Sequence, residues 1–186
     1  MKIVLIRHGE PDYTEVRQRK FMGHGLDLAH LTDAGKEQAK KVAADPALDG
    51  IELIVSSSYT RALHTASIIS RVKDIPIEIE LDLHEWLPDL TFTYMTDVFA
   101  INAVKALTAN KGIRPPYSEI KYEELSAVFD RANACLKKYL KYEKIAAVSH
   151  GMLIRQFQYA KQIPYCGITE IDYDDSFKWK GFIEQE

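Results

Sequence analysis

The feature that most constrains the fold of this chain is an apolar run at its amino terminus that ends in a polar segment. Residues Ile3–Ile6 favour β-structure without polar alternation, which is typical of a strand buried on both faces of a sheet. Residues 7–10, Arg-His-Gly-Glu, follow at once, and a cation and an imidazole are poor core material. Because open α/β sheets bind ligands beyond the carboxyl ends of their strands, this placement predicts chemistry on an anion, with His8 as the reacting group.

Strand-like and helix-like segments alternate along most of the chain. The predicted strands are Ile3–Ile6, Leu53–Ser56, Ile75–Leu81 and Ile145–Ser149. The predicted helices run from Thr32 to Ala44, from Ser57 or Ser58 to Val72, from Glu123 to Tyr142, and onward from Gly151. This alternation is typical of an α/β fold and predicts a three-layer α/β/α sandwich with a largely parallel central sheet.

Two segments depart from that alternation. Residues 86–122 contain a predicted helix over 89–110, after which Gly112 and Arg114-Pro115-Pro116 interrupt regular structure. We interpret this segment as an insertion over one end of the sheet, covering the site. Ile168–Tyr173 and Lys178–Ile183 flank Asp174-Asp175-Ser176, which predicts an antiparallel edge hairpin. No linker separates these parts, so we expect a single domain over residues 1–186.

Charge and cysteine usage exclude several classes of protein. The net charge of −3 argues against nucleic-acid binding, which favours a clearly basic domain. No apolar run is long enough for a membrane span, and the amino terminus lacks the order of a signal peptide. The two cysteines, Cys135 and Cys166, form neither a disulfide framework nor a metal-ligand pattern. These features predict a cytoplasmic protein without a metal site.

Polar groups follow the carboxyl end of every predicted parallel strand. They are Arg7-His8-Gly9-Glu10, Ser57-Ser58-Tyr59-Thr60-Arg61, His84-Glu85 and Ser149-His150-Gly151. A parallel sheet brings such strand ends into one crevice. Two arginines, two histidines and one glutamate there would suit a dianion and provide a proton donor.

Five blocks carry a resemblance to a known family. They are Arg7-His8-Gly9-Glu10, Leu31-Thr32-x-x-Gly35-x-x-Gln38-Ala39, Ser57-x-x-x-Arg61-Ala62-x-x-Thr65-Ala66, Leu83-x-Glu85 and Val148-Ser149-His150-Gly151. In this order they resemble the histidine phosphatase superfamily, the phosphoglycerate mutase-like family. The resemblance implies a phosphoglycerate mutase-like fold and a small phosphorylated substrate, with no metal or organic cofactor.

The resemblance also implies a role for each polar group. His8 is the expected nucleophile that becomes phosphohistidine, and a neutral imidazole suits that task at neutral pH. Arg7 and Arg61 are the expected clamps on the phosphoryl oxygens, since guanidinium groups match phosphate bidentately. His150 is expected to contact the phosphoryl group and orient His8. Glu85 is the expected general acid, in preference to Glu10.

The predicted substrate-binding residues are Gly9, Thr14, His24, Gly25, Ser57 and Gly151. Some of them depart from the family's pattern. Thr14 stands where the family often has a phosphate-holding asparagine, and His24-Gly25 stand where a Gln-Gly pair is common. These departures concern substrate contacts more than the phosphoryl chemistry.

Three functions remain open at this point. The leading one is a phosphomonoester hydrolase, favoured over a phosphoglycerate mutase because Trp86-Leu87-Pro88-Asp89 lacks the arginine and glycine that mutases usually have after the acid. The third is a non-catalytic module that binds a phosphorylated ligand, although such a module would be expected to have lost the nucleophile or a clamp. The sequence leaves the physiological substrate and the oligomeric state open.

Overall fold

The structure, a computed structural model, describes residues 1–182. In chain order its strands are β1 (Lys2–Arg7), β2 (Pro11–Asp12), β3 (His30–Leu31), β4 (Leu53–Ser57), β5 (Ile77–Glu80), β6 (Lys144–Ser149) and β7 (Ile168–Asp172). Its α-helices are α1 (Thr14–Gln18), α2 (Asp33–Ala43), α3 (Thr60–Lys73), α4 (Asp97–Ala109), α5 (Leu125–Lys137) and α6 (Gly151–Phe157). Short 3₁₀ turns cover Gly23–Leu28, Pro46–Leu48 and Leu81–Leu83.

Five of these strands form the central sheet, in the order β5-β4-β6-β1-β7. The strands β5, β4, β6 and β1 are parallel, whereas β7 runs antiparallel to β1 at the edge. Ile3 of β1 lies opposite Ile145 of β6 and Ile171 of β7, so the first strand is interior to the sheet. The position of β1 explains its continuous apolar run, because both of its faces are covered.

Helices cover the two faces of the sheet. Val4 and Ile6 pack in an apolar cluster with residues of α2 and α3, whereas Ile3 and Leu5 pack with residues of α5 and α6 on the other face. Successive side chains of a strand point to opposite faces, so one apolar strand serves both layers. This arrangement confirms the predicted three-layer α/β/α sandwich.

Two helix starts test the capping predictions. The Thr32 hydroxyl accepts a hydrogen bond from Gly35 N at 2.9 Å, so the predicted cap of α2 is confirmed. The prediction that Ser57 or Ser58 caps the next helix is wrong. Helix α3 begins at Thr60 after Tyr59, with no side-chain cap, because Ser57 is still part of β4.

The insertion contains less helix than predicted. Helix α4 begins at Asp97 rather than near residue 89, because the Asp89 carboxylate accepts hydrogen bonds from the backbone N–H groups of Thr91, Thr93 and Tyr94. These bonds hold a turn where the helix was expected to start. Ala103 and Leu107 of α4 then pack in the cluster on the α5 side of the sheet.

Other predicted elements are shorter than expected, and one is wrong. Helix α5 covers Leu125–Lys137 only, and β5 ends at Glu80. The predicted edge hairpin fails because β7 pairs with β1, while residues 178–182 form no strand. Ile183, the last residue of that prediction, lies outside the described residues. Within those residues, no helix combines the length and apolar character needed to cross a membrane.

Candidate active site

The predicted polar groups lie together beyond the carboxyl ends of β1, β4 and β6. His8 follows β1, and its ring centroid is 5.1 Å from that of His150, which follows β6. Arg61, in the first turn of α3, lies 3.3 Å from His8 between Nε and Nε2. The parallel register of the sheet therefore produces the crevice that the sequence predicts.

His8 is held as a neutral ring with a defined tautomer. Its side chain is buried, and Nδ1 lies 2.8 Å from the carbonyl oxygen of Gly9. Because a carbonyl only accepts, Nδ1 carries the proton and Nε2 carries the lone pair. Burial and the positive charges of Arg61 and Arg7 lower the pKa of His8 to about 3, although the Gly9 bond opposes this. The Nε2 atom is therefore unprotonated at neutral pH.

Arg61 connects His8 to an acidic partner that the sequence analysis missed. Its Nη1 lies 3.0 Å from Asp27 Oδ1, and both side chains are largely buried. Burial opposes the charged form, but Asp27 together with Tyr13 and Glu85 outweighs it and raises the pKa of Arg61. The guanidinium is thus a fixed cation whose Nε donates toward His8.

Arg7 lies on another side of His8. Its Nη1 donates to the carbonyl of Ile163 at 2.6 Å, and its guanidinium carbon lies 4.3 Å from the centre of the Tyr165 ring. Its Nε is buried and has no hydrogen-bond partner within the described chain. A phosphoryl oxygen is one group that could accept a bond from this atom.

His150 is fully buried at the start of α6. Its Nε2 lies 2.8 Å from the hydroxyl oxygen of Ser57, and its Nδ1 has no partner among the described residues. Burial, followed by the positive charge of Arg61, lowers the pKa of His150 well below its ordinary value. Ser57 therefore lies in the site and contacts His150. A bound dianion would raise this pKa again.

Glu85 is held by backbone N–H groups of two segments. Its Oε1 accepts from Trp86 N at 2.9 Å and from Leu153 N at 3.3 Å, and its Oε2 accepts from Met152 N at 3.2 Å. Burial raises the pKa of Glu85, although these donors and Arg61 act in the opposite direction. The raised pKa favours the protonated form that a general acid needs.

The glycines of the site have different surroundings. A Cβ at Gly9 would lie 2.7 Å from the carbonyl oxygen of Gly35, so the backbones of these two residues pack directly. The close neighbour of Gly9 is thus the first turn of α2. A Cβ at Gly151 would lie 3.7 Å from its nearest neighbour, Arg7 Nε. Gly151 is therefore adjacent to Arg7, with room for a side-chain carbon.

Thr14 and Gly25, two other predicted substrate-binding residues, and the alternative acid Glu10 have neighbours of their own in the structure. Thr14 is exposed at the start of α1, and its backbone N–H donates a hydrogen bond to Asp12 Oδ1 at 2.8 Å. Gly25 packs against Phe21. Glu10, the alternative acid, accepts a bond from the Thr32 hydroxyl at 2.7 Å, so it joins the loop to α2. Within residues 1–182, the hydrogen bonds of the His8 ring go to Gly9 and Arg61 and not to these three residues.

His24 links the first loop to the insertion. Its Nδ1 lies 3.4 Å from Asp27 Oδ2 and its Nε2 lies 3.3 Å from the carbonyl oxygen of Asp89. Its ring packs against Phe92 and Tyr94, with centroids 4.5 Å and 4.9 Å away. Burial lowers the pKa of His24, but these oxygens outweigh it and the pKa is raised. His24 thus reaches the site through Asp27 and Arg61.

Aromatic residues near His8 were not singled out from the sequence. Tyr165 packs on His8 with centroids 5.7 Å apart, and Tyr59 packs on His150 at 5.2 Å. Tyr165 comes from a loop after α6 with no repeating pattern, so no sequence signal marks it. Tyr59 lies inside the block that carries Arg61, which is the signal that could have identified it.

Two cavities open beside these groups. One, of about 190 Å³, is lined by Arg7, Glu85, Gly151, Met152, Arg155, Gln162 and Ile163. The other, of about 220 Å³, is lined by His24, Asp27, Leu28, Ser58, Tyr59, Thr60 and Phe92. Across residues 1–182, no group of three or more His, Cys, Asp or Glu side chains is arranged to hold a metal ion.

The fold and the site define a class of proteins that place two histidines and two arginines at the end of a parallel sheet. The sequence profile of the histidine phosphatase superfamily (branch 1) matches residues 3–178, and the chain belongs to this family. The recognition made from the five sequence blocks is thereby confirmed.

Particular relatives carry more specific names. Phosphoserine phosphatase 1 of Hydrogenobacter thermophilus is 23% identical over 187 residues, covering 92% of this chain and 78% of its own. A probable phosphoglycerate mutase of Proteus mirabilis is 24% identical, and the match covers 95% of this chain and 86% of the mutase. The structure of a mycobacterial glucosyl-3-phosphoglycerate phosphatase superposes with a TM-score of 0.69 at 20% identity and covers 98% of both chains.

Proposed function

We propose that this protein is a metal-independent phosphomonoester hydrolase that works through a covalent phosphohistidine on His8. The state of His8 carries the proposal: its Nδ1–H is bound to Gly9, and its Nε2 lone pair lies 3.3 Å from Arg61 Nε. A neutral imidazole nitrogen is a nucleophile at neutral pH. Phosphoryl transfer depends mainly on positioning and charge neutralisation, which buried guanidinium groups provide.

The reaction has two steps. In the first, the Nε2 lone pair of His8 attacks phosphorus, the bond from phosphorus to the ester oxygen breaks, and the alcohol leaves with a proton from Glu85. In the second, water attacks the phosphohistidine, the Glu85 carboxylate takes a proton from that water, and the phosphorus–nitrogen bond breaks. Inorganic phosphate leaves, and His8 and Glu85 return to their first states.

Glu85 Oε2 is the oxygen that we assign to the proton. It accepts one backbone bond, from Met152, whereas Oε1 accepts two. A carboxyl oxygen with a single acceptor bond has room for a proton pointed at the leaving group. Glu85 and Arg7 line the same cavity, which supports proton transfer beside the clamped phosphoryl group.

The substrate that we propose is a small phosphorylated molecule handled in the cytoplasm. Relatives that are named phosphatases of such molecules support the substrate class. Cys135 and Cys166 are free thiols, which suits a reducing compartment. We place all of the chemistry in one unit formed by residues 1–186, with the insertion 86–122 at the border of the site.

Hydrolysis of p-nitrophenyl phosphate with a chelator present tests the mechanism. We expect His8→Ala to lower kcat by at least about 10³-fold, because the proposed nucleophile is removed. His64→Ala is the matched control, since His64 lies on α3 and its Nδ1 accepts a hydrogen bond from the Leu31 amide at 3.4 Å. Full activity of His8→Ala, or loss of wild-type activity with the chelator, would contradict the proposal.

A mutase is the second candidate, because probable phosphoglycerate mutases are among the relatives. In a mutase the phosphoryl group of His8 returns to a different oxygen of the substrate instead of passing to water. Two cations of the insertion argue for hydrolysis, since Arg114 donates to Tyr122 O and Lys121 donates to Ser118 O. Isomerisation of 3-phosphoglycerate that depends on 2,3-bisphosphoglycerate would favour the mutase. Phosphate binding without turnover would favour the non-catalytic module.

A further inference from the structure

The segment that carries Glu85 has little regular structure of its own. Residues 84–89 belong to neither helix nor strand, so their backbone groups need partners elsewhere. Three carbonyl oxygens in and before this segment bind one side chain, that of Arg131 in α5. Its Nη1 donates to Asp82 at 2.6 Å and His84 at 2.9 Å, and its Nη2 donates to Glu85 at 3.3 Å.

The same guanidinium forms a two-point ion pair with Glu123. Nε lies 2.7 Å from Oε1 and Nη2 lies 3.1 Å from Oε2, and the two side chains are 13% and 7% exposed. With the three carbonyl bonds, all five N–H groups of Arg131 are used. These five hydrogen bonds restrict the movement of the Arg131 side chain and of the backbone groups that it binds.

Glu123 binds the other end of the same segment. Its Oε2 accepts from Leu87 N at 3.2 Å, its N–H donates to Leu87 O at 2.9 Å, and its carbonyl accepts from Trp86 Nε1 at 2.7 Å. Arg131 therefore binds the backbone from Asp82 to Glu85. Glu123 binds the two residues that follow, Trp86 and Leu87. The ion pair between Arg131 and Glu123 connects these two sets of hydrogen bonds.

We propose that Arg131, paired with Glu123, is a positioning residue that sets where Glu85 presents its proton. The inference rests on the proposed function, in which Glu85 is the general acid. Reacting groups must be held closely, and a displacement of about 1 Å can cost about 10²-fold in rate. Met152 N and Leu153 N bind the Glu85 carboxylate, and Arg131 and Glu123 fix the backbone on both sides of it.

The test compares two esters in Arg131→Lys. Lysine keeps the charge but has one ammonium group, which cannot bind three carbonyls and a carboxylate at once. We expect kcat/KM for glycerol phosphate, whose alkoxide needs a proton, to fall about tenfold or more. We expect kcat/KM for p-nitrophenyl phosphate, whose phenolate leaves unprotonated, to fall less than about threefold.

Arg114→Lys is the matched control. Arg114 lies close in the same region and donates to the carbonyl of Tyr122 at 2.7 Å, but it forms no hydrogen bond to residues 82–87 in the described chain. Both esters should react with this variant as with the wild type. If Arg131→Lys does not fold, Glu123→Gln keeps the size of the partner and should give the same selective loss at smaller magnitude.

Glu85→Gln separates this inference from the proposed function. Alone, it should lower kcat/KM for glycerol phosphate far more than for the aryl ester. In that background Arg131→Lys should cause no further selective loss, since both changes act through one proton transfer. Equal losses on both esters in Arg131→Lys, or additive selective losses in the double variant, would overturn the positioning role alone. Equal losses in Glu85→Gln would overturn the acid role and the positioning role together, whereas an active His8→Ala would overturn the nucleophile.

Discussion

Arg61 shows at the scale of one residue how a surface-seeking side chain becomes part of the site. It lies in the first turn of α3, and its guanidinium is buried between Asp27 and His8. The fork geometry allows Nη1 to bind the carboxylate while Nε points at the imidazole. A side chain with a single donor cannot do both.

Arg61→Lys should therefore lower kcat on p-nitrophenyl phosphate by about 10²-fold or more, because a preorganised donor to the phosphoryl group is lost. Arg71→Lys is the matched control, since Arg71 is an exposed residue in the last turn of the same helix. Thermal unfolding of both variants shows whether the fold is kept. A wild-type kcat in Arg61→Lys would mean that a positive charge without the guanidinium geometry is sufficient for catalysis.

Sequence reasoning at this scale predicted which residues of the recognisable blocks lie close together, while their roles stay predictions. His8, Arg7, Arg61, His150 and Glu85 all lie around one crevice, as strand ends in a parallel sheet require. Asp27 and Tyr165 were missed because their roles depend on contacts with Arg61 and Arg7, which are far away along the chain. The contact of Thr14 with phosphate stays a prediction, and in this structure its N–H donates to Asp12 Oδ1.

At the scale of elements, the junction of β1 with α2 depends on two glycines. Gly9 and Gly35 let the loop after β1 pass directly over the first turn of α2. The same junction is held by Glu10, whose N–H donates to Gln38 Oε1 at 2.9 Å. The block Leu31-Thr32-x-x-Gly35-x-x-Gln38 thus has a packing reason, because each of its polar or small positions contacts the loop that carries His8.

Gly35→Ala should destabilise the protein even though alanine favours helices by about 1 kcal/mol over glycine. The added Cβ would overlap the backbone oxygen of Glu10, and relieving such overpacking costs about 1–3 kcal/mol. We expect a lower free energy of unfolding in denaturant titrations, together with a lower kcat because the His8 loop shifts. Gly50→Ala, in open space at φ +73°, is the control and should cost about 1 kcal/mol with unchanged kcat. A Gly35→Ala protein more stable than the wild type would contradict this account.

Element boundaries were predicted less well than element types. The cap of α2 by Thr32 was correct because the signal is local. The start of α4 was wrong because the Asp89 side chain captures backbone amides that a helix would need. The predicted edge hairpin was wrong because β7 pairs with β1 instead. The two strands are far apart in sequence, and a turn signal identifies only strands that are neighbours along the chain.

At the scale of the whole molecule, folding buries two histidines in neutral form. Burial lowers the pKa of His8 from 6.5 to about 3 and lowers the pKa of His150 as well. The unfolded chain therefore binds more protons than the folded protein between about pH 6.5 and about pH 3. Stability from these groups is present above pH 6.5 and is lost as the pH falls.

The free energy of unfolding should consequently decrease in this window, by up to about 1.4 kcal/mol per pH unit for each histidine. The raised pKa of Glu85 acts in the opposite direction, so the comparison with a variant isolates the histidine. Denaturant titrations between pH 4.5 and 6.5 should show a shallower dependence in His8→Asn than in the wild type. Equal slopes would show that His8 is not buried as a neutral base.

The sequence by itself determined the layered fold and which polar groups meet beyond the ends of the parallel strands. A continuous apolar strand that ends in Arg-His-Gly-Glu is stable only if both of its faces are covered, and its polar end then lies at the edge of the sheet. Only the tertiary structure decided how those groups are held. The Asp27 bond to Arg61 and the bonds from Arg131 to His84 and Glu85 join segments far apart in sequence. Hydrogen bonds of this kind depend on distance and angle in space, which residue order does not specify.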